Sequence, residues 1–415
     1  MRGGWHVLSL GHAPLQIIDG DRGKAYPKHG DFSDEGHCLF LSATNVTISG
    51  LEFSECQFIS EQKDDELRKG KLTRNDVVLT TRGTLGNAAL YGDNIPYDHV
   101  RINSGMVIMR TDPTKLLPAF LYGFLRSPSF EGQVEQLRSG VAQPQLPIRD
   151  LSKIEMPIPP KAVQERIVDT FGAYDDLIDN NRRRMALLEE AARQLYREWF
   201  VRLRFPGREH TRVTNGIPEG WEKLPIEKVC ARITDGSHSS PKSVDEGYPM
   251  ASVKDMDNWG FLMDQCRKIS EDDYANLVRS DCKPRKNDVL IAKDGSYLKH
   301  TFVVGEEHDL VILSSIAILR PNKRIQPNVL NFILRDPQIK ARMEGYVSGV
   351  ALPRIILKEF RKFEILVPPA AIQREWCDYV DPIVEMCRKL DSYNKWLRKA
   401  RDLLLPRLIS GEVAA

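Results

Sequence analysis

After each of two proline pairs, Pro159-Pro160 and Pro368-Pro369, the apolar positions of the chain fall into alternating steps of four and three. The first stripe runs Ile167, Phe171, Tyr174, Ile178, Asn181, Met185, Leu188, Ala192, Leu195, Trp199. The second runs Trp376, Val380, Ile383, Cys387, Leu390, Asn394, Leu397, Arg401, Leu404, Leu408. A period near 3.5 held this long predicts a coiled-coil seam rather than the broader stripe of an ordinary surface helix. At ~1.5 Å per residue, about 40 residues make a rod of roughly 60 Å. Asn181, Asn394 and Arg401 interrupt the apolar stripe. Either they are buried and fix the register of the pair, or they face water near a fraying point. Pro382 predicts a kink, or a fresh helix start capped by Asp381. Pro206-Gly207 predicts the end of the first helix, and Pro406 the tightening of the second.

Ahead of each helix the pattern is mixed. Asp76–Thr81 and Ser104–Arg110 are short apolar runs between turn residues, as buried strands are. Leu117–Arg126 has helical spacing, with Pro118 in the first turn where a missing N–H costs little. The same order returns as strands near Asp288–Lys293 and Ser314–Arg320 and a helix near Pro327–Arg335. It is an internal repeat. Asn75-Asp76-Val77 recurs 212 residues later as Asn287-Asp288-Val289, and Ser139-Gly140-Val141-Ala142 recurs after 209 residues as Ser348-Gly349-Val350-Ala351. Trp5-x-x-Leu8 with Asp19-Gly20 matches Trp221-x-x-Leu224 with Asp235-Gly236. The expected architecture is mixed α/β, with two similar globular domains separated by two long antiparallel helices. Its boundaries are a first domain at 1–160, a helix at 161–205, a linker at 206–215, a second domain at 216–369, a helix at 370–410 and a tail at 411–415.

Composition narrows the function little. The chain of 415 residues has room for two cores, and its 41% hydrophobic and 28% charged residues are ordinary for a soluble protein. The net charge is +2, and neither domain nor either helix carries an excess beyond two charges, so any nucleic-acid surface is a local patch. Seven cysteines form no C-x-x-C, which fits reduced thiols in a cytoplasm. No signal-peptide core and no membrane-length apolar run stand out, and a soluble, cytoplasmic protein is expected.

No catalytic signature emerges. Gly20-Asp21-Arg22-Gly23-Lys24 is too short for a phosphate-binding P-loop, and no dinucleotide fingerprint, H-E-x-x-H or metal spacing is present. The expectation is a non-catalytic protein without cofactor or metal. The positive signals are loops. Arg82 with Thr84 in the first copy, and Lys293 with Ser296 in the second, set a cation and a hydroxyl beside glycine, which suits phosphate contact. Ser237 and His238 belong to a second loop rich in hydrogen-bonding residues. Gln143, Gln145 and Arg354 flank the Ser-Gly-Val-Ala loops; glutamine suits the adenine edge and arginine the guanine edge. Lys24, Lys28 and Lys242 are further phosphate candidates. Each residue type is also common in any solvated turn.

Taken in order, these features resemble the DNA-specificity subunit of type I restriction–modification systems. The carriers are Trp221-Glu222-x-Leu224 leading to Ile233-Thr234-Asp235-Gly236-Ser237-His238, and Gly247-Tyr248-Pro249 with Ser252-Val253-Lys254-Asp255. To these add both Asn-Asp-Val strands, both Ser-Gly-Val-Ala loops, and the proline pairs before Gln164-Glu165-Arg166 and Gln373-Arg374-Glu375. The helix ending Gln194-Leu195-Tyr196-Arg197-Glu198-Trp199-Phe200 and the terminal Leu408-Ile409-Ser410-Gly411-Glu412 complete the set. The resemblance implies that each globular copy is a target-recognition domain reading half of a bipartite double-stranded DNA site. It implies that the helices set the spacing and dock two methyltransferase (modification) subunits, which restriction/translocase subunits join. The first copy lacks the Thr-Asp-Gly-Ser-His loop, so an asymmetric site is expected. The alternatives are a coiled-coil scaffold that binds no DNA and an enzyme with a nuclease or methyltransferase site of its own.

Overall fold

The computed structural model describes residues 5–48, 50–140, 144–294, 299–343, 345, 347–348 and 354–413. It divides into two compact units: Met1–Asp179 with Lys395–Ala415, and Asn180–Asn394.

The first unit is built on a four-stranded antiparallel sheet in the order Leu15–Asp19, Met106–Thr111, Val77–Thr80, Ala88–Leu90. A three-stranded mixed sheet places Cys38–Leu41 between Phe58–Ile59 and a parallel strand, Val100–Ile102. Val77 to Leu79 are all fully buried, which explains the unbroken apolar run that marked the strand. The helix Pro118–Leu125 buries Phe120, Leu121, Phe124 and Leu125. Strand His6–Ser9 pairs with Glu155–Ile158, the strand just before the first long helix.

The second unit repeats the plan. Its four-stranded sheet runs Cys230–Asp235, Ile316–Pro321, Val289–Ala292, Thr301–Val303, and its three-stranded sheet Arg267–Ile269, Tyr248–Ala251, Val311–Ile312. Strand Glu222–Pro225 pairs with Glu364–Val367. The Asn-Asp-Val motif has the same purpose in both units. Asn75 and Asn287 take φ of 71° and 72°, a left-handed turn that asparagine tolerates better than most side chains. The next residue, Asp76 or Asp288, is buried and receives a bidentate guanidinium, from Arg110 at 2.8 and 2.7 Å and from Arg320 at 2.8 and 2.9 Å. Each aspartate also accepts the N–H of Thr73 or Arg285. The motif is a lock on the sheet.

The long helices span Lys161–Tyr196 and Ala370–Ile409. Every position of the two stripes is buried or half-buried. In the second unit the partners run in opposite directions: Asn181 meets Asn394, Met185 meets Cys387 and Trp199 meets Tyr379. In the first unit Asp175 pairs with Arg401, and Ile167 and Phe171 share a core with Leu405, Leu408 and Ile409. The polar seam residues are therefore buried and satisfied. Asn181 Nδ2 donates to Asn394 Oδ1 at 2.9 Å.

Two expectations about prolines need correction. The second helix continues through Pro382 with no fresh start. Buried Trp376, Val380, Val384 and Cys387 flank it, and that packing outweighs the ~3 kcal/mol cost of an internal proline. Asp381 is no cap; its Oδ1 accepts from Asn328 Nδ2 at 2.8 Å. The first helix stops well before Pro206, widening into a π-turn over Arg197–Val201 as Trp199 and Phe200 enter an aromatic cluster with Phe205, Trp221 and Trp376. No helix among the described residues is long and apolar enough to cross a membrane.

A buried glutamine ties each helix start to its globular part. Gln164 accepts the N–H of Leu117 at 2.9 Å and donates to the carbonyls of Lys115 and Pro159, both at 2.9 Å. Gln373, in the same place after the second proline pair, accepts from Gln326 and donates to Arg324 and Pro368, all at 2.8 Å.

Candidate nucleic-acid interface

The loops singled out in the sequence meet at the same place in each unit. In the first, Thr81 N–H donates to Gly105 at 2.8 Å, and Leu146 N–H donates to Thr81 at 3.0 Å. Ser139 and Gln145 exchange main-chain bonds of 3.0 and 2.9 Å, and Gln145 bridges Arg82. In the second, Lys293 N–H donates to Ser315 at 2.8 Å and Ile355 N–H to Lys293 at 3.0 Å. Val347–Ser348 pairs with Arg354–Ile355, and Arg354 bridges Asp294. The end of the Asn-Asp-Val strand, the turn before the central strand and the returning arm of the Ser-Gly-Val-Ala loop thus form one frame, made twice from main-chain bonds.

Gly20 and Gly236 close this frame at the end of the first strand of each sheet. A Cβ at Gly20 would strike the Asn103 carbonyl, and one at Gly236 the Ile312 carbonyl. Only glycine permits that backbone approach, which is why Asp-Gly recurs.

The frames carry different side chains. In the first unit Arg82 and Thr84 are exposed and Gln145 is half-buried. Thr84 Oγ1 donates to Ala43 at 3.3 Å. In the second unit Arg354 is exposed, and its Nε donates to Asp294 Oδ1 at 3.0 Å. His238 is exposed, with Nε2 3.3 Å from Asp235 Oδ1. Gln143 and Ser296 lie outside the described residues, as do 141–142 and 349–351 of the two loops.

Lys293 and Ser237 are not where the sequence reading put them. Lys293 is only 4% exposed, and its ammonium donates to Asp235 Oδ2 at 2.5 Å. Burying a charge without a partner costs several kcal/mol (roughly, in a low-dielectric site), so the ion pair is what keeps this lysine inside. Ser237 is buried too, and its Oγ donates to the Ser239 carbonyl at 2.8 Å. Both shape the loop from within instead of reaching an outside phosphate. Lys24, Lys28 and Lys242 are exposed and free of ion pairs among the described residues. No hydrogen bond among the described residues joins their ammonium groups to the frames. Asp235 and Asp294 are the residues that sequence reasoning passed over. Their signal was weak: carboxylates are poor candidates at a phosphate-facing loop, and their partners lie 58 and 60 residues away.

A potential metal-ligand set exists away from the frames. His37, Asp64 and His99 converge, with the two imidazoles stacked at 4.2 Å. Asp64 already accepts from Lys71 and Arg101. Burial pushes its carboxyl up, but those two cations outweigh burial and hold it below the usual range. A metal ion there would meet the positive charge of both Lys71 and Arg101 at the same carboxylate.

Each unit thus carries the same loop frame with different side chains upon it. Residues 15–190 and again 218–393 match the type I restriction modification DNA specificity domain, and the chain belongs to that family. It is similar to the type I restriction enzyme MjaIX specificity subunit of Methanocaldococcus jannaschii, at 23% identity over 367 residues, covering 86% of this chain and 81% of the relative. The type I restriction enzyme HindI specificity subunit of Haemophilus influenzae is 22% identical, covering 95% of this chain and 98% of that one. Among solved structures, the crystal structure of a type I restriction-modification system S subunit from M. genitalium shares the fold. It has a TM-score of 0.55 and 16% identity, with 99% of this chain and 97% of that one covered.

Proposed function

We propose that this chain gives sequence specificity to a type I restriction–modification complex and performs none of its chemistry. Each unit reads one half of a bipartite site in double-stranded DNA. The long helices set the gap between the halves and dock two modification subunits, which restriction subunits join. The observation that carries this reading is the duplicated main-chain frame with different chemistry upon it. Arg82 stands where the second unit has Asp294, and Gln145 where it has Arg354. Equal frames favour equal approach to the duplex; unequal side chains favour unequal bases, hence an asymmetric target. The balanced charge of the chain fits affinity drawn partly from phosphate contacts on the modification subunits.

Methylation sequencing of cells carrying the complete system tests the reading. One asymmetric bipartite motif is the expected result; methylation without a motif, or at a symmetric one, overturns it. Gel-shift titration should find weak binding by the isolated chain and tight binding once modification subunits are added. The spacing role has its own test. Seven residues inserted into both helices, between Asp179 and Asn180 and between Asn394 and Lys395, keep the seam register. They add ~10 Å of rod, about three base pairs of B-DNA. The gap in the motif should lengthen while both half-sites stay unchanged; an unchanged gap rejects the role.

A further inference from the structure

We infer that Asp294 is a positioning residue that aims Arg354 at a guanine in the half-site read by the second unit, and that the first unit lacks this device. The inference rests on the DNA-specificity reading above and adds to it a base and the means of reading it. The Arg354 side chain is 59% exposed and that of Asp294 is 21% exposed. The two backbones are bridged, so the ion pair spans the frame directly. Nε of Arg354 is taken by the carboxylate at 3.0 Å, while Nη1 and Nη2 have no hydrogen-bond partner among the described residues.

This arrangement makes chemical sense of an otherwise adverse charge. A carboxylate on a DNA-facing loop repels phosphate, so on electrostatic grounds Asp294 weakens binding. Held through Nε, however, the guanidinium keeps its two-nitrogen edge available. That edge matches O6 and N7 of guanine in the major groove. Fixing a long side chain beforehand also removes rotamer entropy that binding would otherwise have to overcome. In the first unit the equivalent places hold Arg82 and Gln145. Arg82 has no ion pair among the described residues, and the amide of Gln145 offers one donor group and one acceptor, the pattern that matches adenine.

Methylation sequencing with the complete complex tests this, using the variants Arg354→Ala, Asp294→Ala and Asp294→Asn. Arg354→Ala should relax one guanine position in one half-site, lowering discrimination there about 10- to 100-fold, with the other half-site intact as the control for folding. Asp294→Ala should relax the same position to a smaller degree. Asp294→Asn, whose amide oxygen still accepts from Nε, should stay close to the parent. If Arg354→Ala leaves the motif unchanged, the inference falls. It falls equally if that variant weakens all sequences alike and reduces the salt slope by about one, the mark of a phosphate contact. Equal losses in Asp294→Ala and Asp294→Asn, or none in either, overturn the positioning role. If the parent complex directs no bipartite motif at all, the DNA-specificity reading fails instead.

Discussion

Gln373→Leu removes a side chain that holds the second long helix to its globular part without changing the local volume much. Gln373 is 1% exposed and makes three hydrogen bonds: one accepted from Gln326 and two donated, to Arg324 and Pro368. Each bond contributes ~1 kcal/mol net, and each partner left buried and unsatisfied costs ~1–3 kcal/mol. A loss of roughly 3–5 kcal/mol follows. For a unit of about 200 residues this lowers the melting temperature by roughly 10 °C. Differential scanning calorimetry of the full chain measures it, with Gln164→Leu as the duplicate in the first unit and Arg374→Gln, at an exposed neighbouring position, as the control. If both glutamine variants melt within ~2 °C of the parent, the three-bond latch is not what holds the helix start. Gln373→Glu sharpens the test. Two carbonyls would then face the new carboxyl and favour its neutral form, raising its pKa in the folded state. The variant should therefore be relatively stable in acid and lose stability as pH rises through that raised value.

Three further outcomes are expected. Asn394→Leu alone strands the buried amide of Asn181 and should lower stability by ~1–3 kcal/mol. The double change Asn181→Leu with Asn394→Leu should recover it, and a double variant no better than the single one contradicts the seam pairing. The pair of cations on Asp64 depresses its folded pKa. It therefore adds stability above the unfolded carboxylate range near pH 4, which is lost as pH falls through the folded value. Asp64→Asn should flatten that acid limb, and an unchanged limb in pH-dependent denaturant titration would sink the assignment. Gly236→Ala should displace the Ile312 strand end and abolish reading of one half-site, while methylation sequencing still shows the other half-site.

Much of this fold was legible because duplication doubles every weak signal. Strands Val77–Thr80 and Val289–Ala292 and helices Pro118–Leu125 and Pro327–Arg335 fall within a residue or two of the apolar runs that announced them. The heptad seam was legible because its period is set locally by packing against one partner. The three-stranded mixed sheets were not, since strands such as Phe58–Ile59 and Val311–Ile312 are two residues long and display no period. The frames were half legible. Recurrence marked their loops, but not which side chains turn inward. Lys293 looked like a surface cation because nothing near it in the chain shows that Asp235 waits across the sheet. Gln164 and Gln373 stood out as recurring residues, yet their task depends on carbonyls in two separate segments.

The main-chain construction of the frames bears on how such a protein changes its target. The bonds from Leu146 to Thr81 and from Ile355 to Lys293 need no particular side chain, so residues on their outer edge can be replaced without unfolding what supports them. Stability and vocabulary are thereby separated. A lineage can rewrite the words on a frame while the binding that holds the page together stays as it was.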